Sequence, residues 1–170
     1  MTTNQQKWVS VQEIKEKCNE NEIKWLSNEK SLTGQMQNLG KVTIEIIEEE
    51  WVKDQKIWNR KVLMLLNKAP WLYAITSIPE AVINELPFDI ENIGSKPIGM
   101  FLFNNENIKL DKILVTQIDL QQETFNQIRS RIKANETTWG RKRVFKAYSS
   151  SIEINEFFLK KEDIKTNTCA

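Results

Sequence analysis

Two charged residues stand in apolar strands, where alternation turns them away from water. In the segment SIEINEFFL, reading every second residue puts Glu156 on the same face as Ile152 and Ile154. In KIWNRKVLML the same alternation aligns Arg60 with Trp58, Val62 and Met64. A carboxylate on a buried face loses hydration, so it needs a partner, a raised pKa or a ligand. A guanidinium cannot shed its charge at neutral pH, so a buried arginine must find an anion. That anion is either Glu156, which gives a structural ion pair, or the carboxylate of a bound molecule. The chemistry on offer is recognition of a small anion between an arginine and a carboxylate. The competing reading leaves Glu156 exposed at a sheet edge or locked in a salt bridge.

Other chemistries are narrowed by what the chain lacks. It has no histidine, which removes the commonest general base and the commonest metal ligand together. No serine or threonine can then be activated as in a histidine-dependent hydrolase triad. The cysteines, Cys18 and Cys169, are far apart and form no CxxC spacing. Cys169 lies one residue from the end of the sequence, so no structural disulfide is expected and a reducing compartment fits. There is no GxxxxGK[ST] or GxGxxG phosphate-binding loop. With 24 basic and 23 acidic residues and a net charge of +1, the surface is not expected to seek nucleic acid. The basic cluster Arg141, Lys142 and Arg143 reads as a solvated face, or as a device that steers an anionic ligand. The six tryptophans, at 8, 25, 51, 58, 71 and 139, sit among apolar residues and read as core. No apolar run approaches the ~18 residues of a membrane span. The opening MTTNQQKWVS lacks the regions of a secretory signal. What remains is a site with neither metal nor organic cofactor.

The elements that must position Arg60 and Glu156 can be read from periodicity. Ser10 to Glu13 has capping-box spacing and predicts a helix that carries Ile14, Cys18, Ile23, Trp25 and Leu26, broken near residues 19–21. SLTGQMQNLG reads as a short helical stretch stopped by Gly40, with free backbone N–H groups at its start. From Lys41 the period changes to two. Strands are predicted over VTIEIIEEEWV, KIWNRKVLMLL, WLYAITSIP, KLDKILVTQIDL, WGRKRVFKAY and SIEINEFFL. Short helical pieces fill 80–93, and QQETFNQIRSRIKAN reads as an amphipathic helix with Phe125, Ile128 and Ile132 on one face. Short connections favour antiparallel pairing. The predicted fold is α+β: one domain over 1–170, about six antiparallel strands, helices packed on one face, and an enclosed ligand site.

Six segments in order, WLSNEKSLT, RKVLML, PWLYAITSIP, GSKPIGMFLF, WGRKRVF and INEFFL, resemble the chorismate lyase (chorismate pyruvate-lyase) family. The likeness runs from about residue 25 to 160, and its Lys, Asn and Ile bias resembles the plastid and cyanobacterial branch. The resemblance implies conversion of chorismate to 4-hydroxybenzoate and pyruvate without metal or cofactor, feeding quinone biosynthesis. It implies that Arg60 binds the ring carboxylate and that Glu156 faces the ring hydroxyl. Backbone N–H groups at Leu32 and Ile98 complete the carboxylate pocket in this reading. A monomer is expected, in the cytoplasm or, if organelle-encoded, the plastid stroma. Two departures stand out. Ile75 replaces a second arginine found in some members, so the enolpyruvyl carboxylate is either met by another cation, Arg141 or Arg143, or held less firmly. Residues 119–137 are longer than in compact members. The alternative is a non-catalytic module that binds an aromatic acid, related to effector-sensing domains of transcription regulators.

Overall fold

Alternating apolar and polar residues assemble into one continuous antiparallel sheet. A computed structural model describes residues 6–133 and 136–167. Cys169 therefore lies outside the described residues, and Cys18 is a free thiol, pushed up to about 11 by burial and by nearby Glu22. The strands are β1 (Val9–Ser10), β2 (Val42–Val52), β3 (Ile57–Leu66), β4 (Ala69–Pro79), β5 (Ile108–Asp119), β6 (Thr137–Ala147) and β7 (Ser150–Phe158). Their order across the sheet is β1-β5-β6-β7-β4-β3-β2. Six of them are the strands predicted by periodicity. The seventh, β1, has two residues and pairs Val9 with Val115 and Ser10 with Leu114. A two-residue strand is too short for any period to reveal, because only its partner makes it a strand.

The hairpin turns follow local backbone chemistry. Asn67 and Lys68, both at positive φ (50° and 71°), make the tight β3–β4 turn. Two consecutive left-handed residues match the twist of the flanking strands. Asn67 also fastens the start of β2: its Oδ1 accepts from Lys41 N at 2.9 Å, and its N–H donates to Lys41 O at 2.8 Å.

One face of the sheet carries the helices. They are α1 (Val11–Ile14), α2 (Glu20–Leu26), α3 (Leu32–Gln37), α4 (Glu80–Ile83), α5 (Gly99–Phe103) and α6 (Lys161–Thr166). The Ser10–Glu13 capping box forms, and a second one at Asn19 and Glu22 starts α2 after the predicted break. Trp25, Trp71 and Phe158 pack edge-on and tilted at 4.9 to 6.3 Å beneath the first group of helices. Trp58, Ile78, Phe145 and Ile152 form a neighbouring core under the β4–β5 connection. Trp25, Trp58, Trp71 and Trp139 are buried, as expected for core tryptophans.

The segment predicted as an amphipathic helix is a 3-10 helix instead, Glu123–Arg131. It lies on the opposite face. Phe125 and Ile128 cap a core of Leu63, Tyr73 and Phe157, and the Arg129 guanidinium holds the segment down by donating to the carbonyls of Leu120, Gln121 and Gln122. These backbone anchors draw the chain into tight turns that a regular α-helix would not satisfy.

Candidate functional site

Strand register lines the charged residues up in two adjacent cross-strand rows. In the first, Arg60 on β3 faces Thr76 on β4, which faces Ile154 on β7, which faces Arg143 on β6. In the second, Val62, Ala74, Glu156 and Arg141 follow the same strands. Arg60 and Arg143 thus stand three strand spacings apart, about 14 Å between backbones, on the helix-covered face. Their side chains close the two ends of an internal cavity of about 50 Å³. Val62, Met64, Leu72 and Ala74 form its apolar floor. The roof comes from residues 31–33 at the start of α3 and residues 96–99 before α5. A larger open groove of about 730 Å³ lies beyond Phe103, whose ring borders both spaces.

The structure brings all four sequence-derived residues, Arg60, Glu156, Leu32 and Ile98, to the wall of this cavity. Leu32 is the first residue of α3, so its backbone N–H has no acceptor within the helix. Ile98 caps α5, and its carbonyl accepts from Phe101 and Leu102 while its own N–H precedes the helix.

Arg60 is 2% exposed. Its Nη2 donates to the carbonyls of Gly94 (2.7 Å) and Lys96 (3.2 Å). Its Nε lies 3.5 Å from Glu49 Oε1, an ion pair without hydrogen-bond geometry, so Nε and Nη1 remain buried donors without acceptors. Burial pushes the guanidinium pKa down and Glu49 partly opposes the shift. Of the two anions weighed for Arg60, Glu156 and a bound carboxylate, Glu156 is therefore not its partner. That pairing is corrected by the sheet order, because β4 separates β3 from β7.

Glu156 finds its counter-charges on the adjoining strand. Its Oε2 accepts from Arg141 Nε at 2.7 Å and its Oε1 from Arg143 Nη2 at 2.6 Å. Burial alone would raise the carboxyl, but the two guanidinium charges and their hydrogen bonds outweigh it and hold Glu156 below the ordinary carboxylate range. It is an ionised acceptor.

The basic cluster read as a solvated face is two-thirds buried: Arg141 is 0% and Arg143 3% exposed, while Lys142 between them points to the other side. Arg141 Nη1 also donates to the carbonyls of Trp25 and Asn28, at 2.7 and 3.1 Å, which ties the end of α2 to the sheet. The signal was present in WGRKRVF. Period two aligns Arg141 and Arg143 with Trp139 and Phe145, the argument that turned Glu156 inward. Ile75 packs on the opposite face with Tyr73 and Phe157, so its side chain is no part of the cavity wall.

The antiparallel sheet of this α+β fold thus buries Arg60, Arg143 and Glu156 around a largely apolar cavity. The chain belongs to the chorismate lyase family, whose model matches residues 2–164. A probable chorismate pyruvate-lyase of Shewanella sp. (strain W3-18-1) is 30% identical over 122 residues, covering 71% of this chain and 66% of that protein. A probable chorismate pyruvate-lyase of Shewanella frigidimarina is 26% identical over 183 residues, covering 89% and 87%. The chorismate pyruvate-lyase of Enterobacter sp. (strain 638) is 27% identical over 106 residues, covering 54% and 64%. The chain spans just under two thirds of the length of the first of these relatives. Among solved structures, a possible transcriptional regulator, YydK, of Bacillus subtilis aligns with a TM-score of 0.50 at 12% identity, over 69% of this chain and 57% of that one. That likeness concerns the fold.

Proposed function

We propose that the chain is a lyase that converts chorismate to 4-hydroxybenzoate and pyruvate without metal or organic cofactor, supplying the aromatic acid for quinone biosynthesis. The observation that carries this reading is the cavity with Arg60 at one end and ionised Glu156 at the other, on an apolar floor. Arg60 keeps two buried donors without acceptors, which suits a planar carboxylate. The N–H groups of Leu32 and Ile98 complete its seat. The ring lies over Val62, Met64, Leu72 and Ala74. Glu156 accepts from the C4 hydroxyl, para to the carboxylate.

In the reaction the C3–O ether bond breaks, C4 loses its proton, and the leaving enol gains one at its methylene carbon to become pyruvate. Aromatisation drives the step, so the enzyme mainly positions its substrate. With both oxygens already accepting from guanidinium groups, Glu156 is a weak base, and its role is to orient the hydroxyl rather than to relay the proton. At about 50 Å³ the cavity is tighter than the ~300 Å³ at which ligand pockets begin, so α5 and the start of α3 part to admit the substrate. All the residues invoked come from one chain, so a monomer suffices. No helix among the described residues is long and apolar enough to cross a membrane.

Purified protein given chorismate should release 4-hydroxybenzoate and pyruvate in equal amounts, followed by absorbance and a coupled pyruvate assay. Binding of 4-hydroxybenzoate without turnover would assign the chain instead to modules that only bind aromatic acids.

A further inference from the structure

Among the described residues, Thr76 is the one uncharged polar side chain that the strands turn into the cavity. It is 3% exposed, and its hydroxyl makes no hydrogen bond with any described residue. We infer that this hydroxyl donates to the ether oxygen of chorismate as the C3–O bond breaks, which makes Thr76 a catalytic residue. This inference rests on the lyase reading of the cavity.

Strand register places the hydroxyl. Thr76 pairs with Arg60 on one side and with Ile154 on the other, so the two ladders of an inner strand take up its backbone groups. A ring anchored at Arg60 in the first row and at Glu156 in the second crosses β4 between Thr76 and Ala74. One edge of the ring then lies over Ala74, Val62, Met64 and Leu72, which are all apolar. The other edge lies over Thr76. An ether oxygen set against the apolar edge would lose its hydration without replacement. The enolpyruvyl group at C3 therefore takes the edge over Thr76.

The other donors of the wall have other positions or other partners. Ser31 and Thr33 belong to the roof, and Ser31 Oγ already accepts from Gly34 N at 3.2 Å. Arg60 serves the ring carboxylate. Arg143 stands two strands beyond Thr76, where it donates to Lys30 O and Glu156.

Breaking the C3–O bond sends its electron pair to the oxygen. The C4–H pair completes the aromatic ring as the proton leaves, and the enolate takes up a proton at its methylene carbon to become pyruvate. Thr76 is neither consumed nor ionised in this step; it holds the charge that grows on the oxygen. An enol ether is a weak acceptor and an enolate a strong one. The hydrogen bond therefore strengthens between substrate and transition state, and it raises the rate rather than the affinity. The product 4-hydroxybenzoate has no ether, so its binding rests on Arg60 and Glu156.

The test isolates the chemical step. Thr76→Val removes the hydroxyl and keeps a branched side chain suited to a strand. With enzyme in excess over chorismate, its single-turnover rate should fall roughly 10- to 100-fold, the range for a hydrogen bond to a charged group. The Kd for 4-hydroxybenzoate, read by quenching of tryptophan fluorescence, should stay within about threefold. Thr76→Ser keeps the hydroxyl and should recover most of the rate. If the valine variant fails to fold by circular dichroism, Thr76→Ala takes its place. An unchanged single-turnover rate overturns the inference, and so does a serine variant no faster than the valine one. A loss of rate matched by an equal loss of 4-hydroxybenzoate affinity also overturns it, because it assigns Thr76 to the ring that both ligands share. In each of these cases the wild type remains an active lyase. A wild type that does not turn over chorismate overturns the lyase reading itself, and the inference with it.

Discussion

Among the described residues, Glu156 is the one counter-ion that Arg141 and Arg143 share, and that sets both its acidity and its structural weight. Its folded-state pKa lies below the ordinary carboxylate range. A depressed carboxyl pKa contributes stability that is present above the unfolded value and is lost as pH falls through the folded one. Urea midpoints should therefore fall as the pH drops below about 4. Glu156→Gln should flatten that acid slope and cost ~3–5 kcal/mol at neutral pH, because it leaves two buried guanidinium groups without a full counter-charge. An acid slope that is the same in wild type and variant would show that other carboxylates govern the acid transition.

At the scale of elements, the connection between β4 and β5 does more than close a loop. It brings the carbonyls of Gly94 and Lys96 onto Arg60 and lays residues 96–99 over the cavity. Gly94 makes this possible at φ +61°, a conformation that a side chain strains even though nothing lies within 4 Å of its would-be Cβ. Gly94→Ala should cost about 1 kcal/mol, seen as a fall in Tm of roughly 2–4 °C for a chain of this size. It should also weaken 4-hydroxybenzoate binding by a few-fold, since it disturbs the seat of Arg60. A variant with unchanged Tm and unchanged binding would show that the glycine conformation is dispensable.

The sheet as a whole divides the labour between its faces. The helix-covered face holds the cavity, and the opposite face is sealed by the 3-10 segment Glu123–Arg131. Phe125 is fully buried there against Tyr73 and Phe157, with centroids 6.1 and 5.1 Å away. Phe125→Ala should destabilise the protein by ~3–5 kcal/mol, read from urea unfolding. The KM for chorismate should stay within twofold or so, because no atom of the cavity is touched. A large change in KM would show that the two faces are coupled. This segment also marks a limit of sequence reading. Its apolar period was visible, but the face it covers and its 3-10 geometry depend on carbonyls that Arg129 meets only in the folded chain.

Period-two alternation by itself determined that Arg60 and Glu156 face inward, and it placed the six long strands, because side-chain direction in a strand is a local property. Missing histidine excluded whole classes of chemistry, and six ordered segments pointed to the chorismate lyase family. The same alternation would have buried Arg141 and Arg143, had the charge run not suggested a wet surface. Pairing was another matter. Which arginine meets Glu156 depends on strand order and register, and these bring together residues far apart in the chain. The β6–β7 hairpin sets Arg141 directly beside Glu156 and Arg143 one row away, while β4 keeps Arg60 at a distance. Only the tertiary structure could decide that the arginine and the carboxylate face each other across a cavity, each held by partners of its own.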